Sequence, residues 1–240
     1  MKLKRTLAFL LVLAMSVALI GCGSTAKKVD YQFVLDACTS WIKDTEDLTA
    51  LGTFMGGNFI GDDLTALMNM MVEEGFVDVN DLSDGLDSEL NVDVGTEVKF
   101  SVQDEKALDD DAVADYQKDL DNAAESIRGV AGQLSDLKDL LDSSLSGLNE
   151  EEMAEVEAQF EQENGMSLED YKALLTKMCD SFNALAEKLD GAAIDSGVTA
   201  SVTYKTDDGD AVEEIDFLKI GDSWTSSYMI DMLKEMSSIA

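Results

Sequence analysis

Three thiols and fifty carboxylates are the groups in this chain that could do chemistry, because the 240 residues include no histidine. Without imidazole there is no Ser-His-Asp or Cys-His nucleophile and no histidine-based metal centre. A glycine-rich phosphate loop is also absent from the sequence. A carboxylate pair of the kind that hydrolyses glycosides remains open. With so many acids, however, any chosen pair is uninformative, so a hydrolase trails the other readings. The acidic run DVNDLSDGLDSE at 78–89 has the flavour of a calcium loop. Its spacing fails: with Gly85 as the turn glycine, loop position three is Leu82 and position twelve is Asn91. No metal and no cofactor is therefore expected. Cys38 and Cys179 lie on or beside apolar helical stripes and read as free thiols packed like small hydrophobes. A disulfide between them is the alternative. Cys22 has a different setting.

Cys22 closes an apolar run. The chain starts Met-Lys-Leu-Lys-Arg, and Leu7 to Ile20 are then almost unbroken apolar residues. A basic start before an apolar stretch too short to span a bilayer is the plan of a secretory signal. Leu19-Ile20-Gly21-Cys22 follows, which resembles the lipobox of bacterial lipoproteins. The resemblance implies that residues 1–21 are removed and that the Cys22 thiol carries a diacylglycerol. It also implies that the mature chain is lipid-anchored on the extracytoplasmic face of the cell membrane. Acyl chains suffice for this, at about 0.8 kcal/mol per buried methylene. Residues 22–28 read as a tether of roughly 20 Å when extended, and its Lys27 and Lys28 are placed to meet anionic headgroups.

The formal charge of the whole chain is −33, with 17 basic against 50 acidic residues. Removal of Lys2, Lys4 and Arg5 with the signal takes the mature chain to −36. Such a surface repels nucleic acid, wall polyanions and the membrane plane, so no nucleic-acid partner is expected. Cationic peptides, basic proteins and divalent cations remain as partners. The composition is nevertheless 45% apolar and the apolar positions are periodic, which argues for a folded body rather than disorder. Proline is absent, so there are no rigid linkers or cis-proline turns.

The periodicity predicts the elements that would carry any site. Phe33, Ala37, Trp41 and Leu48 mark a helix over 29–51, which the three glycines of MGGNFIGDD interrupt before a second helix at 64–72. Alternation over 94–103 predicts a strand. Alternation over 198–205, a DDGD turn at 207–210, a return strand at 212–220 and a last strand at 224–228 predict a meander. Ile230, Leu233 and Met236 suggest a terminal helix. Between the strands, Val113, Leu120, Ile127, Leu134 and Leu141 recur every seven residues, as do Tyr116, Ala123, Val130 and Leu137. A second heptad run, Leu168, Leu175, Phe182 and Leu189, follows a Ser167 cap. A third helical piece, 149–161, lies between the runs and ends at Gly165. The expected fold is α+β: an antiparallel sheet of about four strands, N-terminal helices, and a long helical insertion, 109–190, between the first and second strands.

The lipobox, the helical N-terminal part, the segment VKFSVQDEKALDDDAVADY and the closing FLKIGDSWTSS together resemble the small NTF2-like, or cystatin-like, lipoproteins of Gram-positive bacteria. The resemblance implies that 29–240 is one domain whose curved sheet wraps a helix around a conical pocket. It makes the inward aromatic residues Phe100, Tyr204, Phe217 and Trp224 candidates to line that pocket. The 109–190 insertion departs from the family pattern and would fill or cover the pocket. The family is mostly of unknown function, so the expected role is non-enzymatic: binding a small ligand, a peptide or another envelope protein. A second expectation comes from FEQENGMSLEDYKALL at 160–175, which resembles helical stretches of secreted foldases. With several methionines as adaptable apolar surface, it suggests a membrane-tethered chaperone, a holdase for secreted proteins.

Overall fold

A computed structural model describes residues 29–75, 98–206 and 209–238. The signal 1–21, Cys22, the tether, the acidic run 78–89, residues 94–97 of the first expected strand and Asp207–Asp208 lie outside the described residues. The architecture is α+β. Helices α1 (Gln32–Lys43) and α2 (Leu48–Glu73) precede strand β1 (Ser101–Ala107). Helices α3 (Asp110–Leu145), α4 (Glu150–Asn164) and α5 (Leu168–Leu189) form the insertion. Strands β2 (Ile194–Thr206), β3 (Gly209–Ile220) and β4 (Ser223–Ser226) and helix α6 (Tyr228–Ser238) complete the chain. The sheet is antiparallel in the order β1-β2-β3-β4.

The insertion begins and ends where its caps require. Asp109 accepts a bond from the Ala112 amide at 2.9 Å and starts α3. Asp190 closes α5. Asn149 and Glu152 form a reciprocal capping box on α4, and Gly165, in the left-handed region at φ 74°, ends it. Ser167 caps α5 through the Asp170 amide at 3.0 Å. Gly129 and Gly132 do not break α3, which runs about 54 Å at 1.5 Å per residue. Their positions have no neighbouring atoms that a side chain would meet. Pairings Arg128–Asp190, Ala131–Cys179 and Asp142–Lys172 show that α5 returns antiparallel along α3. Leu120, Ile127, Phe182, Leu185 and Leu189 join the main core, whereas Leu145, Leu168, Leu174 and Leu175 are buried outside it, towards the far end. One heptad series stops short: Leu137 is exposed. The inward positions of α3 run 120, 124, 127 and 131, a spacing that turns residue 137 off the α5 seam.

Among the described residues the first strand is Ser101–Ala107: 98–100 lie outside it, and it runs past the expected end at 103 into 104–107. Its partner decides this, because residues 199–201 of β2 offer a hydrogen-bonding edge to the charged residues 104–106. Backbone pairing needs no apolar side chain. A register shift between Val102 and Asp104 re-aims the strand, and Glu105 then accepts a bond from the Tyr31 hydroxyl at 3.1 Å.

The helix expected over 29–51 is two helices. Asp47 caps the second by accepting from the Ala50 amide at 3.0 Å. The glycine stretch is helical except at Gly57, whose φ of 57° and ψ of −143° kink α2. Seventeen residues of straight helix span about 25 Å, yet the Thr65 hydroxyl lies 3.4 Å from the Leu48 carbonyl. The two halves of α2 therefore fold back on each other. Gly52, Gly56 and Gly61 permit the approach, since a Cβ on Gly52 would stand 2.6 Å from the Gly61 carbonyl oxygen.

Candidate functional site

Strand register decides which side chains share a face. Val198, Ala200, Val202 and Tyr204 on β2 stand opposite Phe217, Ile215, Glu213 and Ala211 on β3. Trp224 on β4 stands opposite Lys219, and Val102 on β1 opposite Val202. The expected pocket residues thus fall on one face, in two groups. Phe100 and Tyr204 pair with ring centroids 5.3 Å apart. Phe217 and Trp224 are joined through Tyr31, which stacks on Phe217 at 4.1 Å and tilts against Trp224 at 5.4 Å. Tyr31, at the start of α1, stacks on Phe217, which is fully buried. Phe217 is therefore core, and Tyr204 is buried, while Phe100 and Trp224 stay half-buried. The Lys219 ammonium lies 6.0 Å from the Trp224 ring.

Glu213 lies between the two groups and is 7% exposed. The Tyr228 hydroxyl donates to its carboxylate over a long 3.5 Å. Burial pushes the Glu213 carboxyl up to about 7, with the Tyr228 bond opposing. Burial and the Glu213 charge raise the Cys38 thiol far above its usual value, so it is no thiolate nucleophile. Burial, Glu213 and Cys38 push the Tyr204 phenol up to about 12. One residue each from α1, β2, β3 and α6 thus forms a cluster in which the thiol and the phenols keep their protons at neutral pH, while Glu213 shares its proton with solvent near pH 7. It can offer a hydrogen bond to a polar group, but it has no activated nucleophile. Pattern reading passed over Glu213, although a signal was present: in AVEEIDF its parity with Ala211, Ile215 and Phe217 points it inward.

Two further phenol–carboxylate pairs fasten helices to opposite faces of the sheet. Tyr31 binds Glu105 on the aromatic face. The Tyr116 hydroxyl of α3 donates to Asp216 at 2.6 Å, and Asp216 alternates with Phe217 on β3, so it faces the other way. Burial first, then the carboxylate partner, raises both phenols. At the outer strand, Trp224 donates its backbone N–H to the Asn58 side chain at 2.7 Å. The buried hydroxyls of Thr225 and Ser226 donate to the carbonyls of Met55 and Phe54 at 3.0 Å each. The kink at Gly57 leaves those carbonyls open to strand β4.

Cys38 and Cys179 are both free. Cys38 is buried as expected, whereas Cys179 is half-buried on α5 with its thiol 3.4 Å from the Ala131 carbonyl. Among the described residues, no group of three or more Cys, Asp or Glu side chains is placed to hold a metal. No helix of the described residues is long and apolar enough to cross a membrane.

Fold and site define an acidic α+β protein whose sheet is held between N-terminal helices and a helical arm, the α3–α5 insertion. No protein-family model matches the chain, and no curated protein and no solved structure matches it significantly.

Proposed function

We propose that the chain is an extracytoplasmic lipoprotein with an NTF2-like domain, held at the cell membrane by acyl chains on Cys22, whose role is binding rather than catalysis. The single observation that carries this reading is the position of Cys22. It follows a basic start and an apolar run, and it precedes by only seven residues Val29, which already belongs to the core. A body tethered so closely works beside the bilayer. A helix packed through Tyr31 against one face of an antiparallel sheet is the arrangement that the family resemblance implies. The half-buried Phe100 and Trp224, with the raised carboxyl of Glu213 between them, suit a ligand that is apolar with a hydrogen-bonding group. Peptides and envelope proteins both offer such groups. Labelling with radioactive palmitate tests the anchor. Cys22→Ala is expected to lose the label and leave the membrane fraction, and retention without lipid would refute the reading.

A second reading, a membrane-tethered holdase, draws support from the arm, where α4 buries none of its residues and two leucines of α3 stand exposed. A holdase suppresses aggregation of an unfolding client at near-stoichiometric amounts, and absence of that effect rejects this reading.

A further inference from the structure

Leu137 and Leu140 are the large apolar side chains that stand exposed among the described residues, at 43% and 64%. They sit three residues apart on α3, so they share one helical face. That face lies beyond Ala131, the last α3 residue buried in the main core, on the outer side of the half-buried Leu134 and Leu141 stripe: Leu137 borders the stripe, and Leu140 turns further out. Single exposed leucines are ordinary, but two adjacent ones on one turn make a patch. Exposed Asp136 and Asp139 flank it.

Charge decides what can cover the patch. The insertion from Asp109 to Asp190 holds 22 acidic and 6 basic residues, a net −16. Three of those six bases, Arg128, Lys172 and Lys188, are already in ion pairs with Asp190, Asp142 and Asp63. Helix α4 holds seven of those carboxylates and no base, and it starts no more than about 25 Å of chain beyond Leu140. A second copy of the arm would bring −16 against −16 within the screening length of about 8 Å. An anionic bilayer is repelled in the same way. A segment with apolar residues on one face and Lys or Arg on the other meets both demands, since its apolar side covers the leucines and its cations meet Asp136, Asp139 and the α4 carboxylates.

We propose that the Leu137–Leu140 face of α3 is a docking site for a cationic amphipathic helix. The proposal stands apart from the anchor and from the sheet face, so loss of either reading leaves it intact.

The test uses the full chain in nanodiscs of zwitterionic lipid, with empty discs as the blank. The probe is a fluorescent, helix-forming peptide of leucine and lysine with a 3.6-residue apolar period. Saturable binding is expected, and Leu137→Ser/Leu140→Ser should weaken it at least about tenfold, as loss of one buried leucine contact implies. Asp136→Asn/Asp139→Asn should weaken it as well, and raising salt from about 50 to about 500 mM should do the same. The circular dichroism of both double variants should match that of the parent, because all four positions are exposed. Binding by the leucine variant within about twofold of the parent overturns the proposal. Equal binding of a peptide with every lysine replaced by glutamate also overturns it. So does sedimentation showing that the leucines instead hold two copies of the chain together.

Discussion

Gly57 lies directly against the backbone of Trp224: a Cβ on Gly57 would stand 1.7 Å from the Trp224 carbonyl oxygen. Its φ of 57° adds a conformation that side chains resist. Gly57→Ala therefore combines a backbone clash with left-handed strain, and it should cost more than about 3 kcal/mol of stability. Gly75→Ala is the control, because its φ is 73° but nothing lies within 4 Å. It should cost about 1 kcal/mol. Urea midpoints of the two variants measure the difference, and equal losses would mean that the Trp224 contact contributes nothing.

Thr225 and Ser226 join β4 to α2 through buried hydroxyls. Ser226→Ala and Thr225→Val should each destabilise by about 1–2 kcal/mol, since each leaves a helix carbonyl short of a donor. Both hydroxyls reach the Met55 carbonyl, so each single variant leaves that carbonyl one donor, and the double variant should lose more than the two separate losses together. Chemical denaturation of the three variants checks this.

The buried Glu213 makes stability depend on pH in a definite direction. Its carboxyl is raised in the folded state from 4.5 to about 7. Between those values the folded chain holds a proton that the unfolded chain has released. The stabilising contribution is full below about 4.5 and is lost as pH rises through about 7. The total is on the order of 3 kcal/mol. Glu213→Gln should remove this fall, so the variant should gain on the parent as pH increases from 5 to 8. A constant difference between the two across that range would show that the carboxyl does not titrate there.

Thiol chemistry should separate the two cysteines of the body. With Cys22 acylated, the denatured and unreduced chain should show two free thiols, as both are free in the structure. In the native state Cys38 should resist alkylation, because it is buried and its thiol is raised. Cys179 should react first. Mass spectrometry after brief alkylation reads the order.

Helix α4 buries no residue and so depends on its ends. Asn149→Ala removes the side chain that accepts from the Glu151 and Glu152 amides. It should weaken α4 by about 1 kcal/mol. Amide exchange should quicken across 150–164 and stay unchanged in β2 and β3.

What the chain announced by itself was local. Asp109, Asn149, Gly165 and Ser167 mark helix ends because a cap is a contact between residues a few positions apart. The heptads of α5 and the alternation of β2 and β3 mark buried faces for the same reason, since period alone tells which side turns inward. The α+β class and the 109–190 insertion follow from such patterns, whereas the common face of Phe100, Tyr204, Phe217 and Trp224 needed the register between strands.

Tertiary structure alone decided the rest. Tyr31 is unremarkable in sequence, yet it stacks on Phe217 and joins it to Trp224, while Phe100 and Tyr204 pair apart from them. The glycines of α2 read as an interruption, but a single positive φ at Gly57 folds the helix back, because β4 packs where a side chain would be. Strand β1 took its position from the β2 edge rather than from its own alternation. Glu213 acquired its raised carboxyl only once four elements had closed around it, because desolvation belongs to an environment and not to a residue type.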